Sequence, residues 1–331
     1  MASSPSYVER IGRAALRRAR RIVPRPSRPA IFMYHRIAQD SFDPWGLAVS
    51  PARFSEHLRW LSANRIVLHL PEFARRHREG VLPATAVALT FDDGYECAAE
   101  VAAPMLARAG FPITIFIPVE LIERRRAFWW DELQQIVLGH DGGHLTLLGE
   151  QVSLGSNSAC DRSWYPQARP KTPRQAAFQQ IWAALREKPP AQLDEAMESL
   201  RTQSGADSTF DIPRPMSPAK VRKVASRNIA FGSHALTHPW LTSLGRGEKE
   251  REIGDSIERC ESLTGTRPIS FAYPYGNFDP ESERIVEAAG FGCACGTSGT
   301  TANATSRLYS LPRIQIGDWS AAQLAKALAA A

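Results

Sequence analysis

The amino-acid sequence predicts an α/β fold in which about seven parallel strands close into a barrel. Three observations carry this. Short, continuously apolar runs recur along the chain, as in parallel strands buried on both faces. Helical stretches lie between many of them, several ending at glycine. Seven or eight such runs in a chain of 331 residues are enough for a sheet to close on itself.

Ala30–Tyr34 is the first apolar run, and Pro51–Asn64 follows as a helix that Ser50 is placed to cap. Ile66–Leu70 is a weaker strand. Val87–Phe91 is a strand, Cys97–Ala109 a helix stopped by Gly110, and Ile113–Ile117 the next strand. From about Glu123 to Pro215 the alternation breaks, and a mainly helical insertion decorating the barrel is expected. Within it, Leu145–Leu148 and Gln151–Leu154 form a hairpin around Gly149-Glu150, and Gly155–Pro170 is loop. Pro173–Arg201 is helical, broken at Pro189-Pro190. Alternation resumes with strand Ile229–Ser233, helix Lys249–Leu263, strand Ile269–Tyr273, helix Pro280–Ala289, and strands Phe291–Cys295 and Leu311–Ile316. The barrel is thus expected over residues 29–320, with residues 321–331 as a closing helix end.

Composition narrows the function classes. The net charge is +6, but residues 1–28 hold eight arginines against one glutamate, so the remaining chain is nearly neutral. No basic face is left to follow a phosphate backbone, which argues against a nucleic-acid partner. The five cysteines are odd in number and show no CxxC pair, which fits a reducing compartment. The tail has no contiguous apolar segment of the roughly 7–15 residues that a secretory signal needs, so a cytoplasmic location is expected. Over residues 7–23, Tyr7, Val8, Ile11, Ala15, Ala19 and Ile22 share one helical face while arginines fill the rest. That is the pattern of a basic helix resting on an anionic membrane surface; the alternative is a solvated leader before Pro24, Pro26 and Pro29.

Three segments carry chemistry, each at the end of an expected strand, where α/β folds present ligands. In Thr90-Phe91-Asp92-Asp93-Gly94 two adjacent carboxylates point in different directions. One can bind a metal while the other faces an attacking water, and a cation removes the cost of crowding two anions. Asp-Asp-Gly is also an ordinary surface turn. In Ser233-His234-Ala235-Leu236-Thr237-His238 the two imidazoles are spaced to share one face of a helical turn, which suits a single metal ion. In Phe271-Ala272-Tyr273-Pro274-Tyr275-Gly276 a strand ends in a turn that can aim a backbone N–H at a developing oxyanion. Trp129-Trp130-Asp131 offers an aromatic floor for a sugar ring with a carboxylate to grip hydroxyls, or else two tryptophans packing the insertion onto the barrel. Tyr273 and Pro274 are further candidate sugar contacts, and Asp43-Pro44-Trp45 is a weaker one.

In this order, the three strand-end segments resemble the polysaccharide deacetylase family, also called the NodB-homology or carbohydrate esterase 4 family. The resemblance covers roughly Pro29 to Trp319 apart from the insertion. It implies a distorted (β/α) barrel and a metal-dependent hydrolase that removes acetyl groups from sugars. It also implies Asp93, His234 and His238 as metal ligands, Asp92 as general base, and the Tyr275 N–H as an oxyanion donor. Zn²⁺ is the default ion for such a donor set, with Co, Fe or Ni also suited. Two departures are evident. Ala272 stands where the family usually has an arginine, and no histidine follows His238 to supply the acid. Tyr34-His35-Arg36 resembles a branch whose acid histidine lies near the N-terminus, which makes His35 the candidate general acid; otherwise it is a structural histidine at a strand end. In a closed barrel the first and last strands are neighbours, so His35 on the first can supply a side chain to the spot the last would reach; Arg313, in Leu311-Pro312-Arg313, is the candidate replacement for the missing arginine beside Asp92, or otherwise a solvated or ion-paired residue. The expected activity is removal of acetyl from an N-acetylated sugar of a polysaccharide or a lipid-linked glycan. The alternatives are a deformylase or other amidase using the same metal site, and an inactive carbohydrate-binding protein.

Overall fold

The computed structural model describes residues 27–331 apart from residues 41, 140–142, 163, 206–211 and 227. The expected membrane-facing helix over residues 7–23 lies outside the described residues.

Among the described residues eight strands form one parallel sheet: β1 (Ala30–Tyr34), β2 (Ile66–Leu68), β3 (Ala86–Phe91), β4 (Ile113–Ile117), β5 (Ile229–Ser233), β6 (Ser270–Ala272), β7 (Cys293–Cys295) and β8 (Ile314–Gln315). Their order is β7-β6-β5-β4-β3-β1-β8, with β2 pairing along β3. The sheet curls until its ends meet through one segment. Leu311 bridges to Cys295 of β7, and Ile314 farther along pairs with Phe32 of β1. The result is a distorted (β/α) barrel. Pro312, with no N–H to donate, interrupts that last segment and shortens the expected strand Leu311–Ile316 to two residues.

Strand faces alternate as period-two geometry requires. Ile31, Ala88, Phe116, Ala272, Cys293 and Cys295 pack together on one side. Phe32, Leu89 and Ile115 pack on the other, beneath helices that contribute Phe54, Leu61, Leu106 and Leu324. The helix over Pro51–Asn64 is capped by Ser50, whose hydroxyl accepts from the Arg53 amide. The helix expected over Cys97–Ala109 is regular only from Ala103 to Ala109; Ala98–Ala102 is a π-helical turn. Pro104 explains this, because its ring clashes with the carbonyl four residues back and removes a helix donor.

Between β4 and β5 the chain builds a separate apolar cluster. Helices over Trp129–Gln134, Pro173–Arg186 and Pro190–Ser204 and a hairpin of His144–Leu147 with Glu150–Ser153 meet there. Phe42 and Tyr95, on loops after β1 and β3, pack into the same cluster and tie it to the C-terminal ends of the strands. Among the described residues no helix is long and apolar enough to cross a membrane.

Candidate active site

The C-terminal strand ends converge on one cavity of about 340 Å³. His35 follows β1, Asp92 and Asp93 follow β3, His234 follows β5, and Tyr273 follows β6; all line it, together with His238 and Tyr275. Asp93 has φ +67° and Gly94 φ +69°. These two left-handed residues turn the chain sharply, so that the adjacent carboxylates diverge. Gly94 is also required sterically, because a Cβ there would lie 2.7 Å from Ile117 Cγ2.

Asp92 is held by Arg313. Nη1 and Nη2 of the guanidinium donate to Oδ1 and Oδ2, each at 2.6 Å. Two further donors are also placed: Nε to the Gly296 carbonyl at 3.0 Å, and Nη1 to Thr90 Oγ1 at 3.1 Å. Arg313 is fully buried, and its side chain reaches Asp92 because β8 lies against β1 and β1 against β3. Burial pushes the Asp92 carboxyl up, but the charges of Arg313 and His234 and the Arg313 hydrogen bonds outweigh it and pull it down to about 2. The group is ionised at neutral pH. For Asp93 burial wins, pushing the carboxyl up against the pull of His35 and His234.

Asp93 Oδ1 lies 3.6 Å from His234 Nε2 and 3.4 Å from His238 Nε2. One donor atom from each of the three falls within 4.8 Å of the others. Donors bound to one tetrahedral ion at roughly 2.0–2.2 Å are themselves about 3.4 Å apart, so the set fits a divalent cation. The imidazoles are in the right state for it. Burial pulls His234 down to about 4 and His238 to about 3, which keeps both neutral. His234 Nδ1 donates to the Ala272 carbonyl at 2.7 Å, leaving the Nε2 lone pair facing Asp93. The two histidines are not on a helical turn, contrary to the sequence expectation. Residues 234–238 form an irregular loop, and left-handed Ala235 (φ +63°) and His238 (φ +59°) bring the rings together.

His35 is half-buried at the cavity edge; burial outweighs the pull of Asp93 and Asp92 and lowers its imidazole. Tyr275 adopts φ +56°, its ring 4.4 Å from that of His238. Its hydroxyl accepts from Trp129 Nε1 at 3.0 Å. Of the expected sugar contacts, Trp45, Trp130 and Tyr273 line the cavity. Trp129, Pro274 and Asp131 are not among its lining residues. Asp131 is 1% exposed, with Oδ1 accepting from Arg36 at 3.1 Å and Oδ2 from Tyr95 at 2.7 Å. Both of its oxygens already accept from the protein, and it does not line the cavity. It sits behind the wall, where Tyr95 in turn accepts from Trp130 Nε1 at 2.9 Å.

Trp182 and Trp240 line the cavity and were not singled out by the sequence. Trp182, on the Pro173–Arg186 helix, meets Trp45 at 5.3 Å, Trp240 at 6.3 Å and Tyr275 at 6.4 Å between ring centroids. The insertion thus adds an aromatic wall to a site otherwise made by barrel loops.

Comparison with known proteins bears on the family and the fold. A family model described as polysaccharide deacetylase matches residues 79–147 and 192–294. YxkH of Bacillus subtilis strain 168, which carries a polysaccharide deacetylase name, is 19% identical over 294 residues, spanning 88% of this chain and 72% of that protein. The solved structure of the Streptococcus pyogenes deacetylase PplD, in complex with acetate, superposes with a TM-score of 0.58 at 17% identity, covering 92% of this chain and 99% of that one. IcaB of Ammonifex degensii gives 0.55 at 15% identity, covering 92% and 97%. At these identities the two structural likenesses concern the fold.

Proposed function

The chain belongs to the polysaccharide deacetylase family, and from that premise we propose that it hydrolyses the N-acetyl group of an amino sugar in a polysaccharide or a lipid-linked glycan. The observation that carries the reading is the buried set of Asp93, His234 and His238 beside an arginine-held Asp92. Asp93, His234 and His238 would hold a divalent ion, with Zn²⁺ the default. Such an ion supplies Lewis-acid polarisation of the amide carbonyl and of water. Asp92, ionised and fixed by Arg313, accepts the proton of the attacking water. The Tyr275 N–H donates to the oxyanion as it develops. His35 is the group that passes a proton to the departing amine nitrogen. Trp182 and Trp240, half-buried where they line the cavity, offer aromatic surface to the sugar, with the buried rings of Trp130 and Tyr273 behind them.

Acetate release from an N-acetylated amino-sugar oligomer, together with elemental analysis, tests this. The parent protein is expected to contain about one divalent ion per chain and to release acetate. His234→Ala removes one of three ligands and is expected to lose most of that ion and the activity with it. Unchanged occupancy in His234→Ala, or a metal-loaded parent that releases no acyl group, overturns the reading.

The arginine-rich tail supports a further placement, at the cytoplasmic face of a membrane where lipid-linked glycans are presented. Full-length protein is expected to co-sediment with anionic vesicles at low salt and to be released as salt rises, while protein lacking residues 1–28 stays in the supernatant. Equal sedimentation of the two excludes that role.

A further inference from the structure

The loop that carries both histidines is strained, with Ala235 and His238 each at positive φ without being glycine. Such a backbone persists only where its surroundings over-determine it. Two of the loop's carbonyls are held by the segment after β4: Val119 N–H donates to the Ala235 oxygen at 3.3 Å, and Glu120 N–H to the Leu236 oxygen at 3.0 Å. The Leu236 and Thr237 amides turn the other way, to one face of the helix over Arg246–Thr264. Glu252 Oε2 accepts from the Leu236 N–H at 3.1 Å and the Thr237 N–H at 3.0 Å, and Oε1 accepts from Thr237 Oγ1 at 2.7 Å. One helical turn on, Ser256 Oγ meets Ser233 Oγ at 2.6 Å, and Ser233 Oγ accepts from the Ala235 N–H at 3.2 Å. Glu252 is 2% exposed, and its hydrogen bonds go to Leu236 and Thr237, between the two histidines.

We propose that Glu252 is a positioning residue for the metal centre: its carboxylate fixes the Leu236–Thr237 peptides and thereby holds His234 and His238 in ligating geometry. A carboxylate suits this task. It accepts several hydrogen bonds at once, and charge-assisted bonds to backbone N–H groups are stronger than neutral ones. The inference rests on the metal-site reading above.

Calorimetric titration of metal-free protein with Co²⁺, and the visible spectrum of the Co²⁺ form, test it without reference to turnover. Glu252→Ala strands two backbone N–H groups and a hydroxyl in a buried place. It is expected to weaken Co²⁺ binding by about 10- to 100-fold and to alter the visible bands. Glu252→Gln keeps an acceptor for both N–H groups and a donor for Thr237 Oγ1, so it is expected to restore binding to within about threefold of the parent. Glu252→Ala that is folded by circular dichroism yet binds Co²⁺ as tightly as the parent overturns the proposal. Should Glu252→Ala fail to fold, Thr237→Val, which removes one of the three hydrogen bonds, decides instead: weaker binding supports the role and parental affinity overturns it. A parent that binds no Co²⁺ overturns the ligand assignment itself, and this inference with it.

Discussion

Asp92→Asn is expected to lower kcat/KM for amide hydrolysis by about 10²- to 10⁴-fold, the usual contribution of a positioned proton acceptor, while metal content stays at the parental level. The side chain keeps its shape, and the donor atoms of Asp93, His234 and His238 are not altered. What changes is the charge. Asp92 is ionised at neutral pH because Arg313 holds it, and an amide cannot take the proton of the attacking water. The variant also leaves the Arg313 cation without its counter-ion, so its melting temperature must be measured alongside turnover. A folded, metal-loaded variant with parental turnover would remove Asp92 from the mechanism. An inactive variant that had lost its metal would make Asp92 a ligand.

The parts of this site legible in the sequence are those in which chemistry is local. Asp92 and Asp93 are adjacent, and an apolar run ahead of them marks a strand end. The spacing of His234 and His238 identifies two imidazoles that can meet, but not how: a helical turn and a loop with two left-handed residues place them equally well, and the chain takes the second. Arg313 and Asp92 are 221 positions apart, yet their contact follows from topology, since a closing barrel sets its last strand beside its first. The insertion defeats such reasoning. Its amphipathic helices show that Trp182 lies near an apolar face, but nothing local says that this face meets Trp45, Trp240 and Tyr275 over the cavity. Asp131 misleads for the same reason. Its partners Arg36 and Tyr95 come from other strand ends, and only their arrival turns an apparent sugar grip into a buried support.

Arg313→Met is expected to destabilise the metal-free protein by about 3–5 kcal/mol at pH 7, the range for removing one partner of a buried ion pair. The size follows from the burial of both groups. Deleting the cation leaves Asp92 ionised in an apolar place, and deleting the anion by Asp92→Asn leaves Arg313 in the same position. The double variant, Asp92→Asn with Arg313→Met, removes both charges together. It is expected to be less destabilised than the two single losses sum to, a coupling that a double-mutant cycle by urea unfolding measures directly. Acid pH provides a second reading with a definite sign. In the parent, the Asp92 carboxyl is depressed from 3.8 to about 2, so the stability it contributes is fully present above about pH 4 and is lost only as pH falls toward 2. In Arg313→Met, burial no longer meets opposition from the guanidinium and drives the carboxyl above its ordinary value. Protonation then favours the folded state, and the variant regains stability as pH falls from 7 toward the ordinary carboxylate range. The gap between parent and variant should therefore narrow between pH 7 and pH 4.5. A constant gap over that interval would mean that Arg313 acts through its stacking on Phe116, where the guanidinium lies 5.4 Å from the ring centre, and not through the charge of Asp92.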